Sequence, residues 1–381
     1  MMRAALGLAR RGLGNVWPNP TVGCVIVKDG HVVGRGWTQP GGRPHAETEA
    51  LARAGIAARG GTAYVTLEPC CHWGKTPPCA DALIAAGLSR VVAAAEDPDP
   101  RVAGAGLAQL RAAGLSVETG VCAAEAAELN AGFFQRVRRG RPLVTLKLAA
   151  SLDGRIAAAS GESRWITGEM ARERVHLLRA EHDAVLVGTG TALADDPQLT
   201  CRLPGLMPRS PVRIVMDREL RLPHSARLFA EARRVPTWVL TSSSGNAERL
   251  AALRDAGVEL ITAEPNAAGG IDLAEALGVL GARGLTRLLV EGGGRLAAAL
   301  LRAGLVDRLI WINAPMLIGA DGIPAVADLG LATLANAPRF EHVATEILGA
   351  DVLSHFRARV DQPGGASGRS LPGSALATVV P

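Results

Sequence analysis

Lysine is almost missing from this chain: of 41 basic residues only Lys28, Lys75 and Lys147 are lysine, so arginine supplies the general surface charge and each lysine is informative. Lys28 sits in KDG, a hairpin turn with no chemistry implied. Aromatics are also scarce, with one Tyr, five Phe and six Trp, and the N-terminal part has no basic, aromatic-bearing cluster of the kind that handles an extruded nucleic-acid base. No uncharged apolar run approaches the ~18 residues of a membrane span. Six cysteines in 381 residues, three of them clustered beside a histidine, suit a metal site in a reducing compartment better than a disulfide framework. The net charge of +5 mildly favours anionic ligands. Its only dense basic stretch, Arg136, Arg138, Arg139 and Arg141, reads as a solvated helix end rather than a nucleic-acid patch. At the N-terminus Arg10 and Arg11 interrupt any secretory h-region in MMRAALGLARRGLGNVW, so an amphipathic first helix of a cytoplasmic protein is expected.

What is present is a hydrophobic share of 48%, ample for more than one core, and the length points to two domains. TVGCVIVKDGHVVGRGWT reads as two strands joined by an Asp-Gly turn. The period then changes: HAETEALARAG is helix-like, GTAYVTLE strand-like, CADALIAAG a helix closing on glycine and RVVAAAE a strand, with one more helix and strand in GAGLAQLRAAG and LSVETG. This alternation describes an α/β sandwich with an antiparallel start. A helical stretch, AAEAAELNAGFFQRVRRG, leads into a second α/β pattern with strands in DAVLVG, VRIVMD, TWVLTS, RLLVEGG and DRLIWINAP. The expected division is 1–141, 142–360 and a disordered tail over 361–381, which is rich in Gly, Ser and Pro.

Chemistry concentrates in TLEPCCHWGKTPPCADAL. His45-Ala46-Glu47 opens a helix, Pro69-Cys70 follows downstream and Cys79 lies beyond it, the H-x-E…P-C…C order of zinc-dependent deaminases. Two thiolates and a neutral imidazole suit tetrahedral zinc with a fourth position left for water. Glu47 is cast as the group that shuttles a proton from that water to the ring nitrogen and leaving amine. Cys79 precedes a helix whose N-terminal N–H groups stabilise a thiolate. Two blander readings stay open: buried thiols beside a polar helix start, or a closed structural zinc site with Cys71 or His72 as fourth ligand, which leaves Glu47 unexplained.

LEPCCHWGKTPPCADALI, with eight residues between its zinc-type cysteines, together with PNPTVGCVIV, HAE and EDPDPRVAGAG, resembles the deaminase half of the bifunctional riboflavin-biosynthesis deaminase/reductase family. The resemblance implies a cytidine-deaminase-like α/β/α sandwich holding one Zn2+, and a pyrimidine substrate carrying a ribosyl phosphate. It places Asn19 near base or sugar, and His72 and Lys75 near substrate. A rotatable lysine beside a threonine hydroxyl is also a reasonable phosphate contact on its own terms, the plain alternative being a solvated loop charge. Cys71 stands where the family often has a small polar residue and is read as a bystander.

The second half has no G-x-G-x-x-G after its first strand, which argues against a Rossmann fingerprint. LLVEGGGRLAAALLRAG reads strand, glycine turn, helix, a setting that can hold a phosphate or can simply be a tight connection. VTLKLAASLDGRIA, SGESRWITG, LLRAEHDAVLVGTGTALADDPQLTCR and VEGGG, in this order, resemble the reductase half of the same family. That implies a dihydrofolate-reductase-like α/β domain using NADPH. The resemblance puts Ala149, Trp165, Thr191, Asp195 and the run Gly293, Gly294, Arg295, Leu296, Ala297, Ala298, Ala299 around the nicotinamide nucleotide. Ser163, Arg179, Leu199, Arg202 and Glu291 would contact the phosphorylated sugar. Arg179 and Arg202 are bidentate-capable partners for a phosphate. Lys147 sits among apolar strand neighbours and reads as a substrate contact or a polarising charge, with snorkelling to the sheet edge as the plain alternative. Asp153-Gly154 is read as a turn.

The resulting expectation is an enzyme that deaminates a diamino-pyrimidinone ribosylamine phosphate and then reduces the open-chain aldehyde form of its ribose by hydride transfer. A homo-oligomer acting on a small molecule, with no nucleic-acid or membrane partner, is expected. The competing reading is a nucleic-acid or nucleoside base deaminase with a nucleotide-binding regulatory domain.

Overall fold

The computed structural model describes residues 1–74, 76–242, 247–266 and 269–359. Lys75 and the expected tail over 361–381 lie outside the described residues.

The N-terminal unit begins with helix α1 (Met2–Ala9) and the expected hairpin, β1 (Gly23–Lys28) with β2 (His31–Trp37), paired antiparallel. Helix α2 (Ala46–Ala54), strand β3 (Thr62–Val65), helix α3 (Cys79–Ala85), strand β4 (Arg90–Ala93), helix α4 (Ala105–Ala112) and strand β5 (Ser116–Thr119) follow. The five strands form one sheet in the order β2-β1-β3-β4-β5, antiparallel at its start and parallel from β3 to β5. Apolar side chains from α2, α3 and the sheet close one core, including Ile26, Val65, Leu83 and Val91, while Met2, Leu6 and Val92 pack beneath α1 on the other face. The chain is thus an α/β/α sandwich here. Helix α2 lies unusually close to the hairpin: a Cβ on Gly36 would fall 2.6 Å from the Ala50 nitrogen and against the Ala46 carbonyl.

The helical stretch after β5 divides into α5 (Ala123–Leu129) and α6 (Ala131–Arg139), where the sequence pattern suggested one run. Asn130 is the reason. Its buried side chain accepts from the Thr21 N–H at 2.9 Å and donates to the Thr21 carbonyl at 3.1 Å, which ties the break to the start of the first sheet.

The C-terminal unit contains β6 (Leu143–Ser151), β7 (Arg155–Ala157), α7 (Glu169–Ala180), β8 (Ala184–Gly188), α8 (Thr189–Asp195), β9 (Val212–Met216), α9 (Arg227–Ala230) and β10 (Thr237–Thr241). It continues with α10 (Ala247–Asp255), β11 (Val258–Thr262), α11 (Leu273–Ala282), β12 (Arg287–Val290), α12 (Gly294–Arg302), β13 (Arg308–Ala314), β14 (Ile323–Pro324), β15 (Phe340–Leu348) and β16 (Asp351–Ala358). Nine strands make one sheet ordered β11-β10-β9-β8-β12-β6-β13-β16-β15, parallel from β11 to β13 and closed by antiparallel β16 and β15. The central parallel strands are continuous apolar runs because helices cover both faces, so inward and outward residues are alike buried. The C-terminal hairpin was not legible in the sequence: β15 is largely exposed and carries no clean alternation.

The units are pinned together by polar contacts. Arg287 donates to the Glu128 and Leu129 carbonyls at 3.0 and 2.9 Å, Arg308 reaches the Glu128 carboxylate at 2.8 Å, and Trp17 meets Trp238 edge-on at 6.4 Å.

Candidate active sites

In the N-terminal unit the ends of three elements converge. His45 is the residue just before α2, Cys79 is the first residue of α3, and Cys70 follows β3. His45 Nδ1 lies 3.3 Å from Cys79 Sγ and 3.7 Å from Cys70 Sγ, and the three donor atoms all lie within 4.8 Å of one another. Donors bonded to one tetrahedral zinc at 2.0–2.3 Å are roughly 3.3–3.8 Å apart, so the triangle fits that ion. Among the described residues no fourth His, Cys, Asp or Glu joins the group, and His45 and Cys70 border a cavity. The Cys70 thiol is held down to about 4, with the Cys79 side chain as the largest cause, while Cys79 is pushed up. A cation bound there would displace the thiol proton that remains.

Glu47 enters from the first turn of α2. It is buried, and burial pushes its carboxyl up to about 7. It borders a cavity of about 220 Å3 together with His45, Cys70, Asn19 and His72. His72 Nδ1 has no hydrogen-bond partner although it is buried, a free polar atom for a ligand. Cys71 turns away, its Sγ 3.8 Å from the Arg101 carbonyl, outside the metal triangle.

Sequence reasoning missed Glu68, two residues before Cys70. Its buried carboxylate accepts from the N–H groups of Asp97 (3.2 Å), Gly104 (2.9 Å), Gly106 (2.9 Å) and Leu107 (3.2 Å). It thereby shapes the 97–107 segment, which puts Asp97, Asp99 and Arg101 on the cavity wall. Burial raises the Asp97 carboxyl to about 6. The motif EDPDPRVAGAG was the signal that could have found these residues; nothing local said that they border this cavity.

In the C-terminal unit a second cavity, about 490 Å3, is bordered by Lys147, Ala149, Ser163, Trp165, Arg179, Asp195, Leu199, Arg202 and Glu291, nine of the residues singled out above. Arg179 is not a free phosphate clamp, however: its guanidinium forks onto Glu291 at 2.6 and 3.0 Å and donates to the Thr200 carbonyl at 3.0 Å. Burial opposes the Glu291 charge, but Arg179 and Lys147 outweigh it and hold the carboxyl below its ordinary range. Lys147 is pulled below the ordinary lysine value by burial, against Glu291. Arg202 has no carboxylate partner among the described residues; its Nε lies 3.3 Å from His176 Nε2, whose ring Nδ1 is 3.0 Å from the Thr200 carbonyl. His176 and Arg227 also border this cavity and were not foreseen.

The glycine turn sits at one side of it. Thr191 Oγ1 accepts from the Gly293 N–H at 3.0 Å, and α12 begins at Gly294. Leu296 borders a separate cavity of about 350 Å3 with Thr189, Arg218, Arg221 and Gly270. Arg295 is exposed, whereas Ala297 and Ala298 are buried against the large sheet and Ala299 is half-buried, none of them on these cavity walls. Asp153 does more than turn the chain: it accepts from the Ile318 and Gly319 N–H groups at 3.2 and 2.7 Å.

A family model, cytidine and deoxycytidylate deaminase zinc-binding region, matches residues 1–95, and a second, RibD C-terminal domain, matches 142–354. The chain is 47% identical to riboflavin biosynthesis protein RibD of Escherichia coli K12, over 93% of this chain and 98% of that one. It belongs to the RibD family. The Mycobacterium tuberculosis RibD is 42% identical, covering 91% of this chain and 93% of its own. The solved Acinetobacter baumannii RibD superposes with a TM-score of 0.84 at 41% identity, covering 94% of this chain and 98% of that one. A Thermotoga maritima structure, described as a diaminohydroxyphosphoribosylaminopyrimidine deaminase/5-amino-6-(5-phosphoribosylamino)uracil reductase, does so with a TM-score of 0.82 at 36% identity, covering 94% and 97%. Like other RibD proteins the chain is a two-part enzyme, a zinc-type deaminase unit followed by a reductase unit, and the alternative of a nucleic-acid or nucleoside deaminase with a regulatory domain is set aside.

Proposed function

We propose that the chain deaminates the diamino-pyrimidinone ribosylamine phosphate at the His45–Cys70–Cys79 site and reduces the deaminated ribosylamine at the Lys147–Glu291 cavity with NADPH. The triangle beside the buried Glu47 carries this reading. It has three protein donors next to a cavity that a buried carboxyl also borders, the donor set of a catalytic rather than a four-ligand structural zinc centre. We assign the deaminase to residues 1–141 and the reductase to 142–360.

When bound at His45, Cys70 and Cys79, zinc supplies acidification of the attacking water. Glu47 takes one proton from the water as its oxygen adds to the amino-bearing ring carbon and passes it to the ring nitrogen; it then carries the remaining hydroxyl proton to the amine, and the C–N bond breaks as the C=O forms, releasing ammonia. Burial suits Glu47 to this because a carboxyl titrating near neutrality both accepts and donates. Asn19 and His72 orient the pyrimidine and its sugar, and the cavity wall set by Glu68 excludes bulk water.

In the second cavity NADPH supplies a hydride when bound. That hydride would reduce C1 of the opened ribosylamine, where the retained amine makes this carbon doubly bonded to nitrogen rather than to oxygen, with a proton added to the nitrogen. Lys147 and Glu291 form the polar floor, Arg202 and Ser163 hold the phosphate end, and Asp195, Trp165 and Ala149 flank the nicotinamide. Thr191 fixes Gly293, and the N–H groups at the start of α12 would hold the pyrophosphate of the cofactor. Arg221, on the cavity wall beside Leu296, supports the extra phosphate of NADPH over NADH, whereas Arg218 there is paired with Glu219. Six free thiols and the absence, among the described residues, of any helix long and apolar enough to cross a membrane support a cytoplasmic, reducing setting. We also propose a homo-oligomer, supported by the exposed edge strand β15.

The purified full chain, zinc-replete, should release ammonia from the diamino substrate and should oxidise NADPH when given the deaminated product. Absence of nicotinamide absorbance loss with that product would remove the reductase half of the proposal. Absence of ammonia would remove the deaminase half.

A further inference from the structure

The walls of the zinc cavity carry three arginines, and their partners differ. Arg101 forks onto Asp99 at 3.0 and 3.1 Å, so its charge is already answered. Arg43 donates to the Thr76 hydroxyl at 2.5 Å. Arg136 has no carboxylate partner among the described residues; its one hydrogen bond runs from Nε to the Gly281 carbonyl at 2.8 Å. Gly281 belongs to α11 of the C-terminal unit, and its carbonyl is among the last of that helix, where the macrodipole is negative. With Nε occupied there, both Nη groups of the fork remain for an anion in the cavity. Phe133, three residues earlier on the same face of α6, borders the same cavity.

Helix α6 is seated on the C-terminal unit along its length. A Cβ on Gly132 would lie 2.6 Å from both Arg287 Cγ and the Thr286 carbonyl, so only glycine permits this approach. Gln135 donates to Asp307 at 3.2 Å, one turn further along. The wall of the deaminase cavity that carries Phe133 and Arg136 is therefore positioned by residues of the reductase unit.

We propose that Arg136 recognises the phosphate of the deaminase substrate, and that the reductase unit completes the deaminase site by holding Arg136 through the Gly281 carbonyl. This rests on the deaminase reading above. The free fork selects a phosphate over a neutral sugar hydroxyl as the occupant, because Asp99, the acid that acts on Arg136, is already bonded to Arg101.

The test uses the full zinc-loaded chain and two compounds, the ribosylamine phosphate substrate and its dephosphorylated counterpart. Arg136→Ala is expected to raise the deaminase KM for the phosphorylated compound roughly ten- to hundredfold, the range for losing a charge-assisted hydrogen bond. The kcat, the KM for the dephosphorylated compound, the zinc content and the reductase turnover should stay within about twofold. Arg136→Lys should recover part of the loss. An unchanged KM, or an equal rise with both compounds, would overturn the phosphate role. Gly132→Ala should reproduce the selective KM rise, with reductase turnover reporting that the protein is folded; a normal KM in that folded variant would overturn the role of the docked helix. Wild-type protein that releases ammonia from neither compound would instead overturn the deaminase reading, and the proposal with it.

Discussion

Arg179 and Glu291, 112 residues apart in sequence, face each other as a forked ion pair, Nε to Oε1 at 2.6 Å and Nη2 to Oε2 at 3.0 Å, at the floor of the reductase cavity. Both side chains are largely buried, at 13% and 10% exposure. Removing one partner strands the other charge, whereas the intact pair is close to neutral in stability. Arg179→Leu should therefore lower unfolding stability by about 3–5 kcal/mol and abolish reduction, while ammonia release persists. Urea unfolding with parallel assays of the two activities checks this, and an unaltered midpoint would show that the pair is solvated in solution.

Glu47→Gln keeps the shape of the side chain and removes its basicity. Zinc content should remain at one per chain, and ammonia release should fall about 10²–10⁴-fold, the range for loss of a positioned proton carrier. In the same assay Cys71→Ser should keep its zinc and Cys70→Ser should lose it. The reverse pattern would shift the metal assignment by one residue.

Glu68→Ala removes the acceptor of four backbone N–H groups at once, leaving buried donors unanswered. A loss of about 2–4 kcal/mol is expected, together with a raised deaminase KM and an undisturbed reductase. Hydrogen exchange should speed up at residues 97–107 first; uniform exchange across the unit would argue against a local role.

His182 is buried, its Nδ1 2.7 Å from the Leu178 carbonyl and its Nε2 3.0 Å from the Thr145 hydroxyl. Burial first, and the Arg287 charge second, depress it from 6.5 to about 4. The unfolded chain thus binds a proton that the folded chain refuses between these values. Stability is complete above pH 6.5 and declines as the pH falls toward 4, by up to about 3 kcal/mol from this residue. Denaturant midpoints of wild type and His182→Gln at pH 7.5 and 4.5 measure the difference. Equal acid sensitivity in both would refute it.

Much of the molecule was legible in the residues alone. The antiparallel hairpin, the βα alternation and the H-x-E…P-C…C spacing are local patterns, governed by periodicity, turn chemistry and the donor preferences of a single ion. They were enough to name His45, Cys70 and Cys79 as a triangle and Glu47 as its companion. The central strands of the large sheet were equally plain, because parallel strands covered on both faces are mostly apolar; the edge strand β11, with exposed residues, was not read. The hairpin of β15 and β16 was not read either, since β15 is largely exposed and solvent imposes no pattern on it.

What only the tertiary structure decided were pairings between distant polar groups. Arg179 and Arg202 look alike in sequence, yet one is spent on Glu291 and the other is left open to the cavity. Glu68 gathers four N–H groups from a segment some 30 residues away or more, and Asn130 splits one helical pattern by bonding to Thr21. Arg136 read as part of a solvated helix end, and the fold turned it into the zinc cavity. The physical reason is the same in each case: a hydrogen-bonding side chain carries no periodic signature of its partner, so its role is settled only when packing brings a specific carbonyl, N–H or carboxylate within 3 Å or so of it.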